Sequence, residues 1–220
     1  MSSIYWEESK MKESNIAGIG NDIYFTAEIN DENIFSLMNS VTTRIRNANS
    51  KDPDEDFKTV GFYTPSERVK RAPEITLFIQ SNGGSVVSCL KFIDFIEIAQ
   101  KQGKISKLIT VITGVACSAA TLLAIVGNEK YITENALAML HGFSTTEAKY
   151  VGALELLRNR VVEIFVKHTH KSADEINKYF LKENWFIGSQ YVDSGFADGI
   201  FKGGKKEKRE ENISIRYIYS

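Results

Sequence analysis

The stretch from residue 108 to residue 127, LITVITGVACSAATLLAIVG, carries no charged side chain and constrains the fold more than any other part of the chain. Its length alone would allow a membrane span. Its composition argues otherwise: the first half is β-branched, the second is Ala, Ser and Leu, and Gly114 stands between them, so propensity switches from strand to helix inside the segment. A chain that buries a strand and the helix following it is an α/β domain. The same order occurs just upstream. Residues 75–80 (ITLFIQ) read as a strand, Ser81-Asn82-Gly83-Gly84 as a tight turn, and residues 85–102 as a helix with Val86, Leu90, Ile93 and Ile96 inward.

Strand, turn and helix repeated in this way specify mostly parallel strands. Residues 23–29 form a predicted strand, and 31–46 a helix with Ile34, Leu37, Met38 and Val41 on one face. In the uncharged stretch, 108–113 is the strand, 114–117 the turn and 118–126 the helix. Two short strands, 130–133 and 136–140, follow. A capping box, Ser144 with Glu147, opens a long helix to about residue 167; a second, Ser172 with Glu175, opens one to about 181; a short helix over 189–194 stops at Gly195. With 220 residues, 43 % of them hydrophobic, the chain is expected to be a single domain over 1–220. Within it lie an N-terminal segment (1–22), a polar insertion (47–73) holding all three prolines, and a charged tail (202–220).

Balanced charge, 27 Lys+Arg against 28 Asp+Glu, points to neither nucleic acid nor an anionic membrane, and neither is expected as a partner. The two cysteines, Cys89 and Cys117, lack CxxC spacing, and no cluster of His joins them, so neither a disulfide framework nor a metal site is indicated and no cofactor is expected. The polar start has no apolar core of the kind a signal peptide needs, which fits a cytoplasmic location.

In open α/β sheets chemistry collects where strands end and helices begin. At Gly83-Gly84 the backbone can present N–H groups to an oxyanion, or the pair can be a plain tight turn. At the second turn Ser118 lies among Ala116, Cys117, Ala119 and Ala120, side chains too small to block an approaching carbonyl. A nucleophile needs such a place, and so does an N-cap serine. Three histidines are present. His168 and His170, in KHTHKS, read as surface cations at a helix C-terminus. His141 ends an apolar strand before Gly142, as a general base or as a core histidine.

Taken in order, Ser81-Asn82-Gly83-Gly84, Gly114-Val115-Ala116-Cys117-Ser118-Ala119 and Met139-Leu140-His141 resemble the Clp protease proteolytic subunit, with an oxyanion turn, a nucleophile turn and a base-bearing strand end. The resemblance runs from about residue 23 to residue 200 and includes Tyr191 to Asp198. It implies a ClpP/crotonase-like fold of repeated β-β-α units with a protruding handle helix. It further implies a serine endopeptidase with Ser118 as nucleophile, His141 as base, the N–H groups of Gly84 and Ala119 as oxyanion hole, and Gly83 shaping the turn. In the place of the family's Asp stands Asn184, which can orient an imidazole but cannot stabilise imidazolium by charge. Glu183 and Asp193 are the next candidates.

The resemblance also implies a homo-oligomeric, heptameric ring, stacked or single, fed with unfolded protein by an AAA+ Clp ATPase. Asn82 in place of proline, Ala119 in place of methionine, the insertion and a shorter helical region after His141 depart from the family, as a phage-borne or paralogous copy would. Two other readings stand beside it: a weak or inactive ring subunit assembling with an active paralogue, which Asn184 would suit, and a crotonase-like acyl-CoA enzyme, which would need neither Ser118 nor His141.

Overall fold

The computed structural model describes residues 16–50, 72–142 and 152–203. Two strands, β1 (Ile16–Ile19) and β2 (Asp22–Phe25), open the fold as an antiparallel hairpin turning at Gly20, whose φ of 59° suits glycine. The expected strand at 23–29 is thus shorter, and a strand precedes it. Helix α1 (Asp31–Ser50) runs past the expected end at residue 46, with Ile34, Leu37 and Val41 fully buried. Most of the polar insertion, 51–71, lies outside the described residues, as do the charged tail beyond 203 and the first capping box at Ser144.

Next come β3 (Glu74–Ser81), α2 (Val86–Lys101), β4 (Lys107–Cys117), α3 (Ala119–Ile125), β5 (Glu129–Ile132) and β6 (Leu137–Leu140). The chain continues with α4 (Leu154–Thr169), α5 (Ala173–Tyr179), β7 (Asn184–Ile187), α6 (Gly188–Asp193) and β8 (Gly199–Ile200). The strands order as β1-β2-β3-β4-β5-β8, and β6 joins β4 to β7. From β2 to β8 along this path every pair is parallel. In α2 the buried face is Cys89, Phe92, Ile93, Ile96 and Ala99, while Val86 and Leu90, expected inward, are half-buried at its edge. The second capping box is formed: Ser172 Oγ accepts from Glu175 N, and the Glu175 carboxylate accepts from Ser172 N.

The feature that positions the site is the course of β4. Its first part pairs with β5 over Ile109–Ile112 and its last part with β6 over Val115–Cys117. Between them the register against β3 shifts, with Ile79 opposite Ile112 but Ser81 opposite Ala116. Gly114, at φ 61°, lies in this bulge. Residues 114–117, expected as a turn, therefore remain in the strand: the extra residues are absorbed by the bulge, and the chain reverses only at Ser118. Ile75, Leu77 and Ile79 point into the main core with the helices, while Phe78, on the other face, stacks on Tyr24 with ring centroids 4.7 Å apart. No described helix is long and apolar enough to cross a membrane, and the uncharged stretch is divided between β4 and α3.

Candidate active site

Parallel pairing of β4 with β6 sets Cys117 opposite Met139, so the strand ends carrying Ser118 and His141 leave the sheet side by side. Ser118 N donates to Met139 O at 2.8 Å. Ser118 sits at φ 56° and ψ −124°, in a region that L-residues rarely adopt, at the N-cap position of α3. Its backbone is held further by its carbonyl, which accepts from Thr121 N at 2.9 Å and Thr121 Oγ1 at 2.7 Å. Its hydroxyl makes no capping hydrogen bond. The N-cap explanation of this serine therefore does not hold: at φ 56° it lacks the extended backbone from which a capping serine bonds the first turn of the helix.

The glycine turn closes on the same point. Gly83 and Gly84 have φ of 95° and 138°. A Cβ on Gly83 would lie 2.6 Å from Cys117 O and 2.9 Å from Ser118 Cβ, and one on Gly84 would collide with Ile29 O. Ile29 N donates to Gly83 O at 2.8 Å and Ser85 N donates to Ile29 O at 2.7 Å, which clamps the turn between β2's continuation and α3. Among the described residues neither the N–H of Gly84 nor that of Ala119 has a hydrogen-bond acceptor. Two free N–H groups at a glycine turn and a helix start can receive a negative oxygen.

Gly84, Ser118, Ala119 and His141 all line one cavity of about 170 Å³. Its far wall is apolar, with Leu122, Val161, Phe165 and Phe180. Phe165 and Phe180 meet edge to face at 5.6 Å. Gly142 keeps this wall close, since a Cβ there would collide with the Phe180 carbonyl.

Asn184 takes a different course. Strand β7 sets it opposite Leu140, next to His141 in the chain. Its Nδ2 donates to Tyr179 O and Lys182 O, both at 2.8 Å, and its side chain faces a separate hollow beside Glu175 and Lys178. The orienting hydrogen bond expected between His141 and Asn184, in which the amide oxygen would accept from the imidazole N–H, is absent: the two Nδ2 bonds hold the carboxamide on the turn between α5 and β7. Of the two other candidates, Glu183 bonds Trp185 Nε1 at 3.4 Å and Asp193 is exposed at the end of α6.

Nearby titratable groups favour the serine as nucleophile of this turn. Burial, aided by the Glu183 carboxylate, raises the Cys117 thiol above its ordinary pKa, and burial raises Cys89 as well. Both thiols are free but buried and protonated. His168 corrects the surface reading: it is half-buried, and burial, with Lys167 and Lys130 adding to it, lowers its pKa to about 4, so it is neutral at pH 7. His170 is exposed, as expected, and ends α4 in the left-handed region at φ 59°. Strand β7 escaped the sequence reading, although Trp185-Phe186-Ile187 carries strand propensity. No group of three or more His, Cys, Asp or Glu side chains among the described residues could hold a metal ion.

The model of the family described as Clp protease matches residues 65–204. The ATP-dependent Clp protease proteolytic subunit 1 of Leifsonia xyli subsp. xyli is 30 % identical over 136 residues, covering 58 % of this chain and 66 % of that protein. Subunit 2 of Tropheryma whipplei is 26 % identical over 173 residues, 74 % of this chain and 83 % of that one. The Ligilactobacillus salivarius proteolytic subunit is 24 % identical over 196 residues, 84 % and 85 % of the two chains. Among solved structures, an asparagine-to-aspartate mutant of ClpP1 from Listeria monocytogenes matches with a TM-score of 0.66 at 18 % identity, over 84 % of this chain and 93 % of that one. That likeness establishes the fold, which is the ClpP fold.

Proposed function

This chain belongs to the Clp protease family, and from that membership we propose that it is a serine endopeptidase that cleaves peptides and unfolded polypeptides with Ser118 as nucleophile. His141 is the general base, and the N–H groups of Gly84 and Ala119 are the oxyanion hole. The observation that carries this reading is the single cavity shared by all four residues, with the Ser118 hydroxyl released from helix capping.

The geometry supports the following course. A substrate carbonyl enters over the small residues at the start of α3, and Ser118 Oγ attacks its carbon while His141 accepts the hydroxyl proton. The carbonyl oxygen, now negative, receives the N–H groups of Gly84 and Ala119, which are already in place and need no reorganisation. His141 returns the proton to the leaving amine, and water repeats the sequence on the acyl-serine. Asn184 is the third member in this reading, supported by its register opposite Leu140: once its carboxamide leaves the Tyr179 and Lys182 carbonyls, it can turn to the neighbouring imidazole.

Assembly is supported by one face of the β6–β7 pair, where Leu137 opposes Ile187 and Met139 opposes Trp185. Leu137, Trp185 and Ile187 are 41 %, 52 % and 50 % exposed, a continuous apolar face that a lone chain leaves in water. The protein forms a ring of identical subunits, heptameric in this reading, works in the cytoplasm and receives folded substrates through an ATP-driven Clp unfoldase. The test is a fluorophosphonate probe with native mass measurement. A single adduct at Ser118 on a ring-sized particle is expected; labelling that persists in Ser118→Ala would end the reading, and a monomer at micromolar concentration would end the ring.

A further inference from the structure

Adjoining the Ser118 cavity at Gly84 lies a second cleft of about 560 Å³, lined by the segment 26–28 and by Gln80, Asn82, Gly83 and Val115. The two spaces share Gly84, so a chain whose scissile carbonyl sits on the Gly84 N–H extends from one into the other. They differ in chemistry. The first has an apolar wall of Leu122, Val161, Phe165 and Phe180, while the second is walled by two amide side chains and, among the described residues, one ionisable side chain, Glu28.

The backbone at Glu28 is held in place. Its carbonyl accepts from Asn33 Nδ2 at 2.8 Å, and its neighbour Ile29 bridges to Gly84 in parallel. Strand spacing of ~4.8 Å and a rise of ~3.3 Å per residue put the Glu28 backbone within about two residue lengths of the candidate oxyanion site. Among the described residues its carboxylate has no hydrogen bond or ion pair, and no cationic side chain lines the cleft. An unneutralised carboxylate in a concave, partly walled space concentrates its field on whatever occupies that space.

We propose that this cleft is a substrate subsite in which Glu28 selects a lysine or arginine side chain close to the scissile bond, while the apolar cavity takes the side chain adjoining the bond on the other side. The proposal rests on the peptidase reading above and adds a substrate class to it: segments in which an apolar residue is followed or preceded by a basic one.

The test uses internally quenched peptides built around one leucine, with lysine, glutamine or glutamate moved through the positions on either side. For the best lysine position the assembled wild-type protein is expected to show a kcat/KM about tenfold above the glutamine analogue, the size of effect one well-placed charge contributes to discrimination. In Glu28→Gln this ratio falls to about one, and in Glu28→Lys the glutamate peptide becomes the better substrate. The same peptides, competing with the fluorophosphonate at Ser118, protect in the same order. Cleavage with no lysine preference, or a preference that survives Glu28→Gln, overturns the subsite and leaves the peptidase intact. Absence of any cleavage together with absence of labelling at Ser118 overturns both.

Discussion

Ser85 and Ser118 stand at the same place in two consecutive strand-turn-helix units, each at the N-cap of the helix that follows, and their hydroxyls do opposite things. Ser85 has an extended backbone, φ −70° and ψ 115°, and its Oγ accepts from Ser88 N at 3.2 Å. Ser118 has φ 56°, makes no such bond, and is secured through its main chain to Met139 and Thr121. A capping hydroxyl is committed to the helix; an uncommitted one, held in an unfavourable conformation by its neighbours, is available for chemistry. Composition does not separate the two serines. The bulge in β4 does, because it brings the second turn onto β6 and beside His141.

The sharpest way to break this contrast is Ser118→Ala. Probe labelling and peptide hydrolysis should fall by about 10⁴-fold or more, while the denaturation midpoint stays near wild type because no cap bond is lost. Residual hydrolysis of wild-type size would remove Ser118 from the mechanism.

Gly83→Ala attacks the contact that holds the two turns together. The new Cβ would meet Cys117 O and Ser118 Cβ at a backbone φ of 95°. A loss of ~2 kcal/mol in chemical denaturation is expected from the strained conformation. Labelling should slow by about a hundredfold as Ser118 and the Gly84 N–H separate. An unchanged labelling rate would mean that the glycine turn is not part of the site.

Asn184→Asp separates two roles of one residue. The aspartate loses both donors to the Tyr179 and Lys182 carbonyls, at a cost of about 1–3 kcal/mol in stability. Repelled by those carbonyls, its carboxylate is drawn to the neighbouring His141 and should raise peptide hydrolysis by stabilising the imidazolium. A lower midpoint with no gain in hydrolysis would leave Asn184 as a clamp of the α5–β7 turn and make Glu183 the next position to vary.

The smallest effect belongs to Ser85→Ala, the mirror of the first variant. Loss of its cap should cost ~1 kcal/mol in denaturation and leave the labelling of Ser118 unaltered. If labelling fell with it, the turn and the helix it caps would be a single functional unit rather than two.

Most of what the amino-acid sequence determined is local. The switch from β-branched to small residues within 108–127 settles strand against helix, because each preference is an energy of the residue and its near neighbours. The Ser172 capping box and the buried faces of α1 and most of α2 follow for the same reason. The ordered motifs also contain Gly84, Ser118, Ala119 and His141, which one cavity gathers. Tertiary structure alone decided the rest. That β4 runs on to Cys117 depends on a bulge against β3, that β7 exists depends on pairing with β6, and that His168 is neutral depends on what packs over it. Above all, whether the Ser118 hydroxyl is free and whether the Asn184 amide is engaged are set by hydrogen bonds to Met139, Tyr179 and Lys182. A hydrogen bond depends on distance and angle to within fractions of an ångström, and for Ser118 and Met139 those are set by the register of strands lying far apart in the chain, which no run of neighbouring residues encodes.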